Sequence, residues 1–248
     1  MVMAAERGQA VTLDARQISL IVRETCCRAL IVLATPLGFS EPLPPVDADA
    51  SRTPVLLVPG FRQSHVSLFC LKTFLQRRGW TACWAVNTSK QDHKIAEHAG
   101  DLDRKIKHLL QATRAQQVVL VGHGMGGLIA AWYARHLDED KRVQQVITIG
   151  TAWRGTKMAI FGGGQARAEM LPSNPQLTDL VSTTTISTSI WSTDDPWVIP
   201  AESATPEGVH TVGIESAGHF EMLLSARVFR ATLSALTTPA IQHADAEL

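Results

Sequence analysis

The run Val118-Val119-Leu120-Val121-Gly122-His123-Gly124-Met125-Gly126-Gly127-Leu128-Ile129-Ala130 constrains the fold of this chain more than any other stretch. Its continuous aliphatic opening predicts a strand buried on both faces, because a half-exposed strand would alternate apolar and polar residues. A glycine-rich turn follows, then an apolar helical pattern. Strand, sharp turn and helix in direct succession are the repeating unit of an α/β fold built on a parallel sheet.

Composition sets the scale and excludes some classes. With 248 residues, 45% of them hydrophobic, the chain can bury one sizeable core. Lys plus Arg and Asp plus Glu stand at 23 each, so no net field draws the protein to nucleic acid, and no nucleic-acid partner is expected. The cysteines Cys26, Cys27, Cys70 and Cys83 lack metal-ligand spacing, and the adjacent pair reads as plain buried, reduced thiols. Neither a metal nor a cofactor is expected.

Residues 1–16 carry little pattern. Ile18, Ile21 and Val22, then Cys26, Ala29, Leu30 and Leu33, recur at helical spacing, which predicts a helix packed on the core, with an interfacial helix as the alternative. The apolar patch at 29–39 is too short to span a bilayer, and Ser40-Glu41-Pro42 is a poor cleavage site. A cytoplasmic location is expected rather than secretion, with peripheral membrane contact through the first helix left open. Pro36, Pro42, Pro44 and Pro45 break any helix, so residues 1–52 read as a helical extension plus a Pro-rich linker, and 53–248 as the main domain.

Within that domain, Pro54-Val55-Leu56-Leu57-Val58-Pro59-Gly60-Phe61 reads as a central strand closed by a Pro-Gly turn. A helix is expected over 66–78 and a strand over 80–86. Ser89 and Asp92 start a long helix that carries Ile95, Ala99, Leu102, Ile106 and Leu109 on one face. A helix over 125–137 and strands over 142–150, 184–192 and 209–214 complete an open, mostly parallel sheet flanked by helices. Residues 159–180 are long for a crossover and read either as a small lid or as a loop and short helix packed on the rim.

Ligands of open parallel sheets bind beyond the carboxyl ends of the strands, so the residues that follow each strand are the chemical candidates. After the first strand come Gly60 and Phe61, whose backbone N–H can face a developing oxyanion, with the N–H of Met125 as its partner. Asp194 and Asp195 end another strand and offer a carboxylate to orient a histidine, although an Asp-Asp-Pro turn also has local bonding reasons to exist. Ser216-Ala217-Gly218-His219 follows the last strand and supplies a loop histidine. His123 reads as a core residue or a support to the site rather than a base.

Taken in chain order, turn, acid and histidine each end their own strand, and here the chain resembles the lipase and esterase branch of the α/β-hydrolase superfamily. Gly150-Thr151-Ala152-Trp153-Arg154-Gly155-Thr156 looks like the Gly-Thr-Pro-x-x-Gly-Thr segment of bacterial lipases, and Ser192 to Val198 is similar to their Ser-x-x-Asp-x-x-Val acid segment. The resemblance spans residues 54–224. It implies an α/β-hydrolase fold, Asp195 as the acid with Asp194 as fallback, His219 as the base, and Phe61 and Met125 as oxyanion donors. It places the family's nucleophilic serine on Gly124.

Glycine suits a strained turn but removes the hydroxyl that attacks an ester. Two classes of function follow. One is a carboxylic-ester hydrolase scaffold, inactive or weakly active as written unless serine is restored. The other is a non-catalytic pocket for a small-molecule acyl ligand or a protein partner.

Overall fold

The computed structural model describes residues 14–238 except 39, 43, 45–51, 89–92, 163–164, 173 and 182–184. Six parallel strands form one sheet in the order β2-β1-β3-β4-β5-β6. They are β1 (Val55–Val58), β2 (Cys83–Ala85), β3 (Val118–His123), β4 (Val143–Ile149), β5 (Ile186–Trp191) and β6 (His210–Gly213). The helices are α1 (Ala15–Ala34), α2 (Phe69–Arg77), α3 (Ile95–Thr113), α4 (Met125–His136), α5 (Gln165–Glu169), α6 (Gln176–Val181) and α7 (Ala226–Thr237).

The central strands are apolar throughout because both faces are covered. Leu56, Val58 and Leu120 pack with Leu102, Ile106 and Leu109 of α3 and with Leu128 and Ile129 of α4. Their neighbours Val55, Leu57, Val119 and Val121 point the other way, as the period of two requires, and meet Leu71 and Leu75 of α2 and Val228 and Leu236 of α7. Each such fully buried aliphatic side chain contributes about 1.5–3 kcal/mol. Core packing thus holds β1 and β3 in register, with Leu57 opposite Val121, and fixes where their carboxyl ends lie.

The glycines of the central turn serve this packing. A Cβ on Gly126 would overlap the Val58 and Pro59 carbonyls, so glycine lets α4 sit against the end of β1. The first turn of α4 is thereby brought beside the turn that follows β1.

Several expectations need correction. The N-terminal helix forms, opened by Asp14, whose carboxylate accepts from the Gln17 N–H at 2.7 Å, but its apolar stripe does not pack on the core. Ile18, Ile21, Val22, Leu30 and Leu33 are exposed, Leu33 at 78%. Glu24 turns inward instead, and the exposed Arg16, Arg23 and Arg28 reach along the surface to the loops after β5 and β6. The docked face is set by these polar contacts together with the burial of Ile31 in the core. The helix starts at Ala15, inside the stretch expected to lack pattern. Cys26 is exposed and Cys27 only half-buried, both free, so the expected burial of that pair does not hold. Burial pushes the Cys83 thiol up to about 12.

Smaller differences lie at element ends. The helix expected over 66–78 begins as a 3-10 turn at His65–Leu68, and the strand at 80–86 is shorter at both ends. The start signal at Ser89 and Asp92 lies outside the described residues. Glu97 accepts from the Lys94 N–H at 2.8 Å and caps α3 at its observed start. Residues 159–180 divide between two environments. Ala159, Phe161 and Met170 line a cavity, whereas Leu177 and Leu180 of α6 are buried in the core beside α4. No helix of the described residues is long and apolar enough to cross a membrane.

Candidate active site

The strand ends gather at one edge of the sheet. Gly124 follows β3 with φ +52° and ψ −120°, a backbone conformation that residues with a Cβ adopt only under strain. Its N–H donates to the Ile149 carbonyl at 2.8 Å, and its own carbonyl accepts from Thr151 Oγ1 at 2.9 Å. The turn is therefore tied to the end of β4 from both sides. It stays fixed without any side chain at its tip.

His219 reaches this turn from the loop after β6. A Cβ built on Gly124 would lie 3.0 Å from His219 Nε2, so the imidazole faces the glycine directly. Its other nitrogen, Nδ1, is 2.7 Å from Asp195 Oδ2. Asp195 is 5% exposed, and its Oδ1 accepts from the N–H groups of Trp197 at 2.8 Å and Val198 at 3.2 Å. That leaves Oδ2 for the histidine. Because a carboxylate only accepts, the Nδ1 proton is fixed on the Asp195 side and Nε2 of the neutral ring presents its lone pair toward Gly124.

Asp194 does other work. Its Oδ2 accepts from the Ser216 N–H at 2.9 Å and lies 4.0 Å from Arg16, which supports the loop that carries the histidine. The two adjacent aspartates therefore separate by position, and only Asp195 meets His219.

Electrostatics sharpen the pair. Burial works to depress the His219 pKa, but the charge and hydrogen bond of Asp195, with the charge of Glu24, outweigh it and raise the pKa above the ordinary 6.5. His123 moves the opposite way. Complete burial, reinforced by the neighbouring His219, holds its pKa well below 6.5 despite the backbone contact. Its Nδ1 lies 3.2 Å from Gln63 Oε1, and its Nε2 lies 3.2 Å from the His219 carbonyl. His123 therefore sits under the histidine loop as a neutral support.

A cavity of about 500 Å³ opens above Gly124 and His219. Its floor includes Phe61 and Met125, and its walls include Leu128, Met158 and Phe161. The Gly60 N–H donates to Gln63 Oε1 at 3.1 Å, which shapes the turn carrying Phe61. Met125 is the first residue of α4, so its N–H has no acceptor within that helix. Among the described residues, the Phe61 N–H is likewise not taken up by another group. Cavities of this size with apolar walls and a few convergent polar groups suit small organic ligands.

The sequence reading brought together Gly124, Asp195, His219, Phe61 and Met125, and all lie at this edge. It missed the contribution of α1. Ile31 and Val32 of α1, with Thr35 and Pro36 of the 3-10 turn that follows it, form one wall of the cavity, and Glu24 inserts behind His219. The available signal was a lone carboxylate in a helix whose other charged residues are all basic. The hydroxyls of Ser64 and Ser216 do not hydrogen-bond His219 among the described residues. Ser216 Oγ is instead held by Arg16 at 2.7 Å.

Comparison with solved structures places this geometry in a familiar architecture. A mature-form lipase from Bacillus licheniformis superposes with a TM-score of 0.66 at 15% identity, over 78% of this chain and 96% of that one. Lipase B of Aspergillus fumigatus gives a TM-score of 0.68 at 16% identity, over 84% of this chain and 57% of that one. A lipase-esterase related protein from Clostridium acetobutylicum gives 0.58 at 15% identity, over 75% and 96%. At these identities the likeness is one of fold. The sequence profile of the α/β-hydrolase fold matches residues 53–183, more than half of the chain, and the protein is a member of that family.

Proposed function

We propose that this chain is a lipase- or esterase-like carboxylic-ester hydrolase scaffold in which Gly124 occupies the nucleophile position, Asp195 is the acid, His219 the base, and Phe61 and Met125 the oxyanion donors. The supporting observation is the alignment of three groups in space: Asp195 on Nδ1 of His219, and Nε2 of His219 on the strained turn at Gly124. In such a triad the base takes a proton from the nucleophile and later returns it to the leaving group, while backbone N–H groups hold the negative oxygen. Glycine has no hydroxyl, so no acyl-enzyme forms on residue 124.

The remaining chemistry available to the site is direct hydrolysis. A water beside Gly124 attacks the ester carbonyl carbon as His219 Nε2 takes its proton; the carbonyl oxygen becomes the oxyanion. Collapse of that intermediate expels the alkoxide, which takes the proton from His219. Triads that have lost one member keep roughly 10³–10⁴-fold acceleration over water, which sets the scale for the native chain. The test is p-nitrophenyl ester hydrolysis by the native protein, Gly124→Ser, and Gly124→Ser combined with His219→Ala. Activity gained in the second and lost in the third supports the reading, and a folded but inert Gly124→Ser protein contradicts it.

A second reading has its own support. Gly124 relieves the strain of the turn while the apolar cavity is kept, which suits a protein that binds an acyl ligand without turning it over. In both readings the ligand is a small ester or acyl molecule. The exposed apolar stripe of α1 belongs to the helix that walls the cavity, which supports contact of this face with a lipid surface.

A further inference from the structure

The carboxylate of Glu24 is the most deeply placed charge contributed by α1. It is 6% exposed, and among the described residues it does not form the ion pair that usually accompanies a buried acid. It accepts instead from backbone: the Phe220 N–H at 3.0 Å and the Glu221 N–H at 3.1 Å. These two donors open the 3-10 turn Glu221–Leu224 and directly follow His219. The loop is shaped to receive the acid. A Cβ on Gly218 would overlap Glu24 Oε2 and stand 2.8 Å from its Cδ, so a side chain before the histidine would displace the Glu24 carboxylate from its seat.

His219 is thus held from three sides. Asp195 fixes its ring through Nδ1, His123 meets its carbonyl, and Glu24 pins the peptide groups that follow it. Around Glu24, Arg23 pairs with Glu221 at 3.3 Å and donates to the Ser216 carbonyl at 3.0 Å. Arg16 adds the contact to Ser216 Oγ. Every charged side chain of α1 that reaches the body lands on the acid loop or the histidine loop, and nothing equivalent ties α1 to the other strand ends among the described residues.

We propose that Glu24 is a positioning residue for His219, and that α1 is thereby a working part of the site rather than an appended helix. The proposal rests on the reading of His219 as the base. Glu24 acts in two ways that can be separated. Its oxygens hold the loop so that Nε2 faces residue 124, and its negative charge favours the imidazolium. Burial raises the Glu24 pKa, with its two backbone hydrogen bonds and the charge of His219 opposing the rise and Asp195 adding to it. The charge is therefore supported first by the Phe220 and Glu221 N–H groups and then by His219.

The test uses the full chain. The His219 ring is titrated by NMR in the native protein, Glu24→Gln and Glu24→Ala. Both variants should shift its midpoint downward, because both remove the charge. In a Gly124→Ser background, kcat for a short p-nitrophenyl ester should fall about tenfold to a hundredfold in Glu24→Ala, the scale of a slightly misplaced catalytic group, with KM little changed. Glu24→Gln keeps an oxygen acceptor and should recover most of the lost kcat while its pH profile stays displaced. An unmoved His219 midpoint in folded Glu24→Gln overturns the proposal, even if thermal stability falls, because a merely structural anchor would not carry charge to the histidine. If the midpoint moves but Gly124→Ser is inert, the hydrolase reading fails while the coupling of Glu24 to His219 stands.

Discussion

His219 Nε2 stands 3.0 Å from the point where a Cβ on Gly124 would lie, closer than an ordinary van der Waals contact. The imidazole has settled slightly into the space that a side chain at residue 124 would claim. A serine there would push the ring back by a few tenths of an ångström, with Asp195 on its far side. It would also impose about 1–3 kcal/mol of backbone strain at φ +52°. Gly124→Ser should therefore unfold at a slightly lower temperature than the native chain, read by differential scanning calorimetry. An increase would mean that the turn relaxes out of its present conformation.

Two histidines shape the pH dependence of stability in opposite senses. The folded pKa of His219 is raised above 6.5, so its contribution is complete below that value and is lost as pH rises through the folded pKa. His123 is held well below 6.5 by burial. The unfolded chain takes a proton that the folded chain refuses, and stability is lost as pH falls below 6.5. Thermal unfolding across pH 5–8 should show a fall on both sides of a maximum near pH 6.5, and Asp195→Asn should flatten the alkaline side selectively. An alkaline side unchanged in Asp195→Asn would show that Asp195 does not hold the His219 proton.

The seat of α4 against β1 depends on Gly126. Gly126→Ala drives a methyl into the carbonyls of Val58 and Pro59, which are backbone and cannot step aside cheaply. A loss of roughly 1–3 kcal/mol, the usual scale of overpacking, is expected in urea unfolding. A neutral substitution would show that α4 can lift off the sheet without disturbing the turn.

The frame of this site was legible because its signals are local. A buried strand needs a continuous apolar run, a close helix needs glycine, and each chemical group follows a strand, so Gly124, Asp195 and His219 could be picked out in order. The preference for Asp195 over Asp194 came from the resemblance of Ser192 to Val198 to the lipase acid segment; in space, Asp195 alone meets His219 among the described residues. The role of α1 was hidden for a physical reason. Helical periodicity reports which face is apolar, not which face is buried, and here four polar side chains at Arg16, Arg23, Glu24 and Arg28 find partners some 170–200 residues away along the chain. Pairing over such separation leaves no pattern in a window of one helix.

If the cavity holds an acyl chain, fatty acids should raise the unfolding temperature, by the equivalent of about 2.7 kcal/mol at a hundred times Kd. Val32→Glu places a charge on the α1 wall at a residue already 56% exposed, so folding should survive. The stabilisation by long-chain acids should then weaken more than that by short ones. Equal effects at all chain lengths would remove α1 from the acyl site.

Contact of the α1 stripe with lipid makes a separate prediction. Sedimentation with phosphatidylcholine vesicles should pull down the native chain, and Val22→Ser combined with Leu33→Ser should release it while leaving the docked polar face intact. Retention of the double variant on vesicles would show that another surface is responsible.

The most direct measurement is intact-mass analysis after treatment with an alkyl fluorophosphonate, which labels a hydroxyl only when a base activates it. Gly124→Ser should gain one phosphonyl group, mapped by peptide analysis to residue 124 and lost on adding His219→Ala, while the native chain stays unlabelled. Labelling of the native chain at Ser64 or Ser216, or a folded Gly124→Ser protein that takes up no label, would contradict the assignment of Gly124 as the nucleophile position.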